Sequence, residues 1–135
     1  MIPINTVMTG NVITVQASTP IYEAMNLLTK FAISGLPVVD AENKLIGILT
    51  EKDVLKILIN PNIGAKDRVE DFMTRNVFSF TEDADAIAVC EFFIKNPIRR
   101  VPIVRNGKLI GVVSRRDIIV LILEAKEKLS DQRFS

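Results

Sequence analysis

The chain has 135 residues, 48% of them hydrophobic and 24% charged, with a net charge of +1. That length fits one compact domain or two small halves sharing a core, and so even a charge balance points to neither nucleic acid nor an acidic membrane. With no histidine and a single cysteine, Cys90, the usual general base, the commonest metal ligand, any Ser-His or Cys-His pair and any intrachain disulfide are all excluded.

The segment Met1-Ile2-Pro3-Ile4-Asn5 lacks the basic start and apolar run of a signal peptide. Val12 to Val15 is a short β-prone run. Thr19-Pro20 predicts an N-cap followed by proline at the first helical position. Ile21, Ala24, Met25 and Leu28 then share one helical face. Leu36 to Val39 and Leu45 to Leu49 are apolar strands joined by a turn over Asp40 to Asn43, and a helix is predicted from near Thr50. Asn60-Pro61-Asn62-Ile63-Gly64 breaks the pattern, and Arg68 to Met73 predicts a short helical turn. A second strand run follows at Val77 to Phe80, and Asp83 and Asp85 stand beside the next helix start, where carboxylates favour the dipole. Ile87, Cys90 and Ile94 are predicted to form that helix's apolar face. Strands at Val101 to Val104 and Leu109 to Val113 flank Asn106-Gly107, a strong two-residue hairpin signal. The last helix, from near Ser114, carries Ile118 to Leu123 without a polar break. That run is far short of the roughly 20 residues a bilayer span needs, so it predicts a covered face, here a dimer contact. The expected location is the cytoplasm.

The chain repeats itself with a period of about 65 residues. Val7-Met8-Thr9 recurs as Phe72-Met73-Thr74, Asn11-Val12 as Asn76-Val77, and Pro37-Val38-Val39 as Pro102-Ile103-Val104. One residue then drops out, and Lys44-Leu45-Ile46-Gly47 returns as Lys108-Leu109-Ile110-Gly111; Thr50 and Asp53 match Ser114 and Asp117. Each copy reads β-α-β-β-α, so the expected fold class is α/β (α+β). The two motifs, residues 1–64 and 65–135, are expected to pack as a pseudo-twofold pair.

Met-Thr-x-x-Val, an apolar-Pro-apolar-apolar strand and Leu-Ile-Gly-x-apolar-Thr/Ser-x-x-Asp, twice in register, resemble the CBS domain family over about Ile4 to Leu123. The resemblance implies a pseudo-symmetric disc, common dimerisation, and clefts between the motifs that hold AMP, ADP, ATP or S-adenosylmethionine. It also implies ribose-binding roles for Asp53 and Asp117 and phosphate-side roles for Thr50 and Ser114. Local physics offers a second reading of the same residues. Ser or Thr with an acidic residue three positions on is a capping box, and a helix N-terminus favours a phosphate as readily as a carboxylate.

The copies differ in charge. Arg99, Arg100, Arg105, Arg115 and Arg116 replace Ser34, Gly35, Asp40, Glu51 and Lys52. Arg105 and Arg115 read as solvated surface. Arg100 lies two residues before Pro102, in a segment where the resemblance implies a basic residue on phosphate; it is the first candidate for phosphate and Arg116 the second, and the guanidinium fork suits phosphate oxygens. The resemblance further places adenine against the backbone near Thr14 and Ser79. Ile13, Leu36, Phe78 and Val101 read equally as base-binding walls and as core, and Cys90 as a small buried hydrophobe.

The expected function is a regulatory ligand sensor, not an enzyme: it has no catalytic residue, no metal, no catalytic cofactor and no membrane or nucleic-acid partner. A sensor of this kind acts on an effector protein. The alternative is a structural homodimerisation module without a ligand, supported by the apolar last helix and the capping boxes.

Overall fold

The structure, a computed structural model, describes residues 1–60, 62 and 67–134. The first copy builds α1 (Ile21–Lys30), β1 (Gly35–Val39), β2 (Leu45–Thr50) and α2 (Glu51–Ile59). The second builds β3 (Phe80–Thr81), α3 (Ala86–Lys95), β4 (Arg100–Arg105), β5 (Lys108–Ser114) and α4 (Arg115–Phe134). This is the mixed α and β class expected. The predicted turn near Arg68 is a single 3-10 turn at Val69–Asp71. Of the breaker cluster, Pro61, Ile63 and Gly64 lie outside the described residues. Among the described residues no helix is long and apolar enough to cross a membrane.

Each copy centres on an antiparallel hairpin. β1 pairs β2 from Gly35↔Thr50, and β4 pairs β5 from Arg100↔Ser114. The second hairpin turns through Asn106 (φ 52°) and Gly107 (φ 79°), the paired positive angles that match the twist of the strands. The first uses Asp40, whose carboxylate accepts from the N–H groups of Glu42 and Lys44, both at 2.9 Å. The two turns then meet. Leu45 N–H donates to Gly107 O and Leu109 N–H to Asn43 O, each at 3.0 Å. The two hairpins remain separate sheets and meet beside their turns, through an isolated bridge between Lys44 and Lys108.

Three expectations are corrected. Val12 to Val15 forms no strand; only Val15 bridges, in parallel, to Val38, and the second copy's strand shrinks to Phe80–Thr81. These runs pass from one half of the molecule to the other, so only their last residues reach a hairpin. Pro20 is the N-cap of α1 and not its first residue, and the Thr19 hydroxyl accepts from Gln16 N–H instead of capping. The buried face of α3 is Ala86, Val89 and Phe93, whereas Ile87 and Ile94 are exposed and Cys90 is half-buried. Both triplets are apolar at helical spacing, but only the first matches Ile21, Ala24 and Leu28 in the other copy.

Two cores result, and each is completed by the other copy's leader. Ile4, fully buried, lies in the core of the second copy with Val89, Phe93 and Ile103. Val69 and Met73 lie in the core of the first with Ile21, Leu36 and Leu49. Thr9 exchanges N–H···O bonds of 2.9 and 3.0 Å with Val112 on β5, and Thr74 two of 2.9 Å with Ile48 on β2. This explains the repeated Met-Thr and Gly. The Thr extends a hairpin edge while the preceding Met lies over the bare Cα of a glycine. A Cβ on Gly111 would stand 2.5 Å from Met8 Sδ and 3.0 Å from Thr9 O; one on Gly47 would stand 2.9 Å from Met73 Sδ. Gly111→Ala is expected to destabilise the protein by about 1–3 kcal/mol through forced displacement of the leader. Urea unfolding checks this; an unchanged midpoint would contradict the close contact.

Candidate functional site

Both helix starts are reciprocal capping boxes. Thr50 N–H donates to Asp53 Oδ2 (2.9 Å), and Asp53 N–H to Thr50 Oγ1 (3.3 Å). Ser114 N–H donates to Asp117 Oδ2 (2.8 Å), and Asp117 N–H to Ser114 Oγ (3.1 Å). The caps leave one oxygen of each carboxylate available to something else. At Asp53 the Thr74 hydroxyl lies against that oxygen, 3.4 Å from Oδ1.

A cavity of about 520 Å³ lies where the leader of the first copy crosses between the halves. That size suits a small-molecule ligand. Asn11, Val12 and Ile13 form one wall. Ile33, Ile98, Pro37 and Pro102 bring apolar surface from both copies. Thr50, Glu51 and Lys52 present the start of α2, and Asp117 the start of α4. Arg99 and Arg100 add two cations. The site thus juxtaposes a carboxylate from one copy with a helix N-terminus and lysine from the other. The N–H groups of Thr50, Glu51 and Asp53 are already bonded, Glu51 N–H to Ser34 O at 3.0 Å, so it is the partial positive charge of the helix start, with the Lys52 side chain, that favours an anion.

Of the residues singled out from sequence, Thr50, Arg100 and Asp117 line this cavity together. Thr14, Asp53, Ser79, Ser114 and Arg116 do not. Ile13 lines it, whereas Leu36 and Val101 are core, at 0% and 1% exposure. Phe78 is exposed and packs on Phe92 with ring centroids 5.1 Å apart. Sequence reasoning missed Phe31, Asn11 and the pairing of Thr50 with Asp117 across copies. The signal for Phe31 was an aromatic just past a helix end, where the second copy has Asn96.

The two helix ends beside the clefts are built differently. After α1, Ala32 takes the left-handed conformation (φ 51°) that usually selects glycine. Ile33 N–H then reaches Leu28 O (3.1 Å) and Ala32 N–H reaches Thr29 O (3.3 Å), a Schellman closure that sends Phe31 and Ile33 to the cavity. After α3, Asn96 precedes Pro97 and is held extended instead. The orphan carbonyls there are met by Arg115, which donates to Phe93 O (3.1 Å), Asn96 O (2.9 Å) and Ile98 O (3.0 Å). Arg115 is therefore a helix cap and not idle surface. Arg105 is likewise engaged, as a two-pronged partner of Glu82. Its hydrogen bonds hold the Glu82 carboxyl below its ordinary value and raise the guanidinium's. Asp85 caps α3 by accepting from Ile87 N–H (3.3 Å). Among the described residues no group of three or more Cys, Asp and Glu is arranged to hold a metal ion.

The fold agrees with the comparisons. The CBS domain family matches the chain twice, over residues 4–60 and 69–124. An uncharacterised 17.7 kDa protein of Acidianus ambivalens is 33% identical over 122 residues, covering 90% of this chain and 73% of that one. The CBS domain pair of protein MJ0100, solved with 5′-methylthioadenosine and S-adenosylmethionine, superposes with a TM-score of 0.79 at 32% identity, covering 93% and 98% of the two chains. CBSX2 of Arabidopsis thaliana, solved with AMP, superposes with a TM-score of 0.83 at 26% identity, covering 93% and 99%. The chain belongs to the CBS domain family and is a CBS pair. It spans only 42% of a related Methanocaldococcus jannaschii protein and 21% of that organism's inosine-5′-monophosphate dehydrogenase. The match to that enzyme is thus confined to a minor part of it.

Proposed function

We propose that the chain is a regulatory ligand-sensing module. It binds an adenine nucleotide (AMP, ADP or ATP) or S-adenosylmethionine in the cleft between the two motifs, without catalysing a reaction. The observation that carries this reading is the shared cavity of Asp117, Thr50, Lys52 and Arg100. A carboxylate accepts from both hydroxyls of a ribose, and the start of α2 with Lys52 and Arg100 receives a phosphate. The apolar walls and Phe31 suit a flat base. The ligands named for MJ0100 and CBSX2 share the adenosine unit this arrangement fits. Three cations against two anions around the cavity favour a phosphate-bearing ligand over S-adenosylmethionine, whose sulfonium adds positive charge. Ligand would bias the packing of the halves through its unequal affinity for their arrangements, and an effector protein in the cytoplasm would read the change.

A second element of the reading is a homodimer. Ile119, Ile122 and Leu123 on α4 are more than half exposed, and Leu58 and Ile59 on α2 are 93% and 82% exposed. Apolar stripes of this kind mark a contact surface. A ligand-free dimerisation module shares this surface, so the ligand is the discriminating observation.

Calorimetry with AMP, ATP and S-adenosylmethionine is expected to give saturable binding of a nucleotide. Asp117→Ala should abolish most of it, and Arg100→Ala should weaken a phosphate-bearing ligand by about tenfold. Unchanged affinity in Asp117→Ala would remove the ribose assignment. No binding of any of these to nucleotide-free protein would leave the structural module. Sedimentation of the wild type should give a dimer, and Ile122→Asp a monomer; a monomeric wild type would remove the dimer reading.

A further inference from the structure

Five charged residues line the cavity: Glu51, Lys52, Arg99, Arg100 and Asp117. Four of them suit a nucleotide, as cations for phosphate or as an acceptor for ribose, and Glu51 does not. We infer that Glu51 is a specificity-determining residue: its carboxylate lowers the site's affinity for a triphosphate more than for a monophosphate, so that the cleft sorts adenine nucleotides by phosphate number. The inference rests on the proposed nucleotide reading and deepens it, by naming what separates one nucleotide from another.

Glu51 is fixed through its backbone and not through its side chain. Its N–H donates to Ser34 O at 3.0 Å, which ties the first residue of α2 to the segment before β1. Among the described residues its carboxylate makes no hydrogen bond and no ion pair, and neither do the side chains of Lys52, Arg99 and Arg100. A carboxylate in a first turn favours the helix dipole. The helix start as such does not require one, since the matching position of the other copy carries Arg115, which caps α3. The charge of Glu51 is therefore left to act on what enters the cavity.

Its place in the cavity decides which ligand feels that charge. A second, apolar groove of about 560 Å³ lies between α1 and α2, walled by Met25, Leu28, Val54 and Leu55. Glu51 and Arg99 line both this groove and the ligand cavity, whereas Thr50, Lys52 and Arg100 line the cavity alone. Glu51 and Arg99 thus form the rim where the two spaces adjoin. A first phosphate on Thr50, Lys52 and Arg100 leaves this rim to any further phosphates. There Glu51 opposes the attraction of Arg99, and its repulsion grows with each negative charge added. One repulsive group so placed discriminates against the longer ligand while the seat of the first phosphate stays intact.

The test titrates AMP, ADP, ATP and S-adenosylmethionine, in buffer free of divalent cations, into wild type, Glu51→Gln and Glu51→Lys. The Glu51 side chain has no partner to lose, so both variants are expected to fold, which circular dichroism checks. Glu51→Gln is expected to tighten ATP about tenfold and AMP by no more than about threefold, with ADP between them, and Glu51→Lys to extend the trend. High salt should shrink the difference, because the rim is open to solvent. S-adenosylmethionine, whose sulfonium a carboxylate attracts, should not gain. An ATP-to-AMP affinity ratio raised less than about threefold in both variants, or an equal gain for S-adenosylmethionine, would retain the nucleotide reading and overturn the role of Glu51. Absence of nucleotide binding by wild type and both variants would instead remove the nucleotide reading, and this inference with it.

Discussion

The structure depends on an exchange of leaders. Neither hairpin with its two helices closes its own core; Ile4 completes the second and Val69 with Met73 the first. The contact is close because Met8 and Met73 lie over glycines, where any side chain would collide. Fully burying an isoleucine such as Ile4 contributes about 1.5–3 kcal/mol relative to exposure, and the paired Thr bonds add order along the hairpin edge. The exchange therefore ties the two halves into one unit without a large direct sheet between them.

The cleft follows from that exchange. A leader docked on one half must cross to the other to enter its own motif, and residues 9–13 are that crossing. They run over the space between the hairpins and give it a wall. The helices that start at Thr50 and Ser114 both aim their N-termini inward, because each follows directly on a strand of the central hairpins. A carboxylate from one copy and a helix start from the other consequently face one cavity.

Much of the fold was legible because the chain states it twice. Asn106-Gly107, the apolar strands and both capping boxes are local signals, and the structure places them where local physics requires. The misses were long-range or a matter of phase. Val12 to Val15 has the composition of a strand, but its backbone is spent on crossing. The face of α3 was ambiguous because Ile87, Cys90 and Ile94 are as apolar as Ala86, Val89 and Phe93; only the match to α1 separates them. At the site, sequence spacing joined Thr50 to Asp53 and Ser114 to Asp117, which is right for the caps. The cavity joins Thr50 to Asp117, a pairing that spacing along the chain does not show. Arg115 and Arg105 looked alike as surface cations, and their partners were legible only in three dimensions.

The central claim is that the cleft under the first crossing segment is the ligand site and that it is assembled from both copies. A crystal structure of the protein grown with AMP tests it most directly. The account predicts the ribose on Asp117 Oδ1, the phosphate beside Thr50 and Lys52, and the base against Asn11 to Ile13. A nucleotide seated beside Asp53 and Ser114 with the Asp117 cavity empty would contradict it.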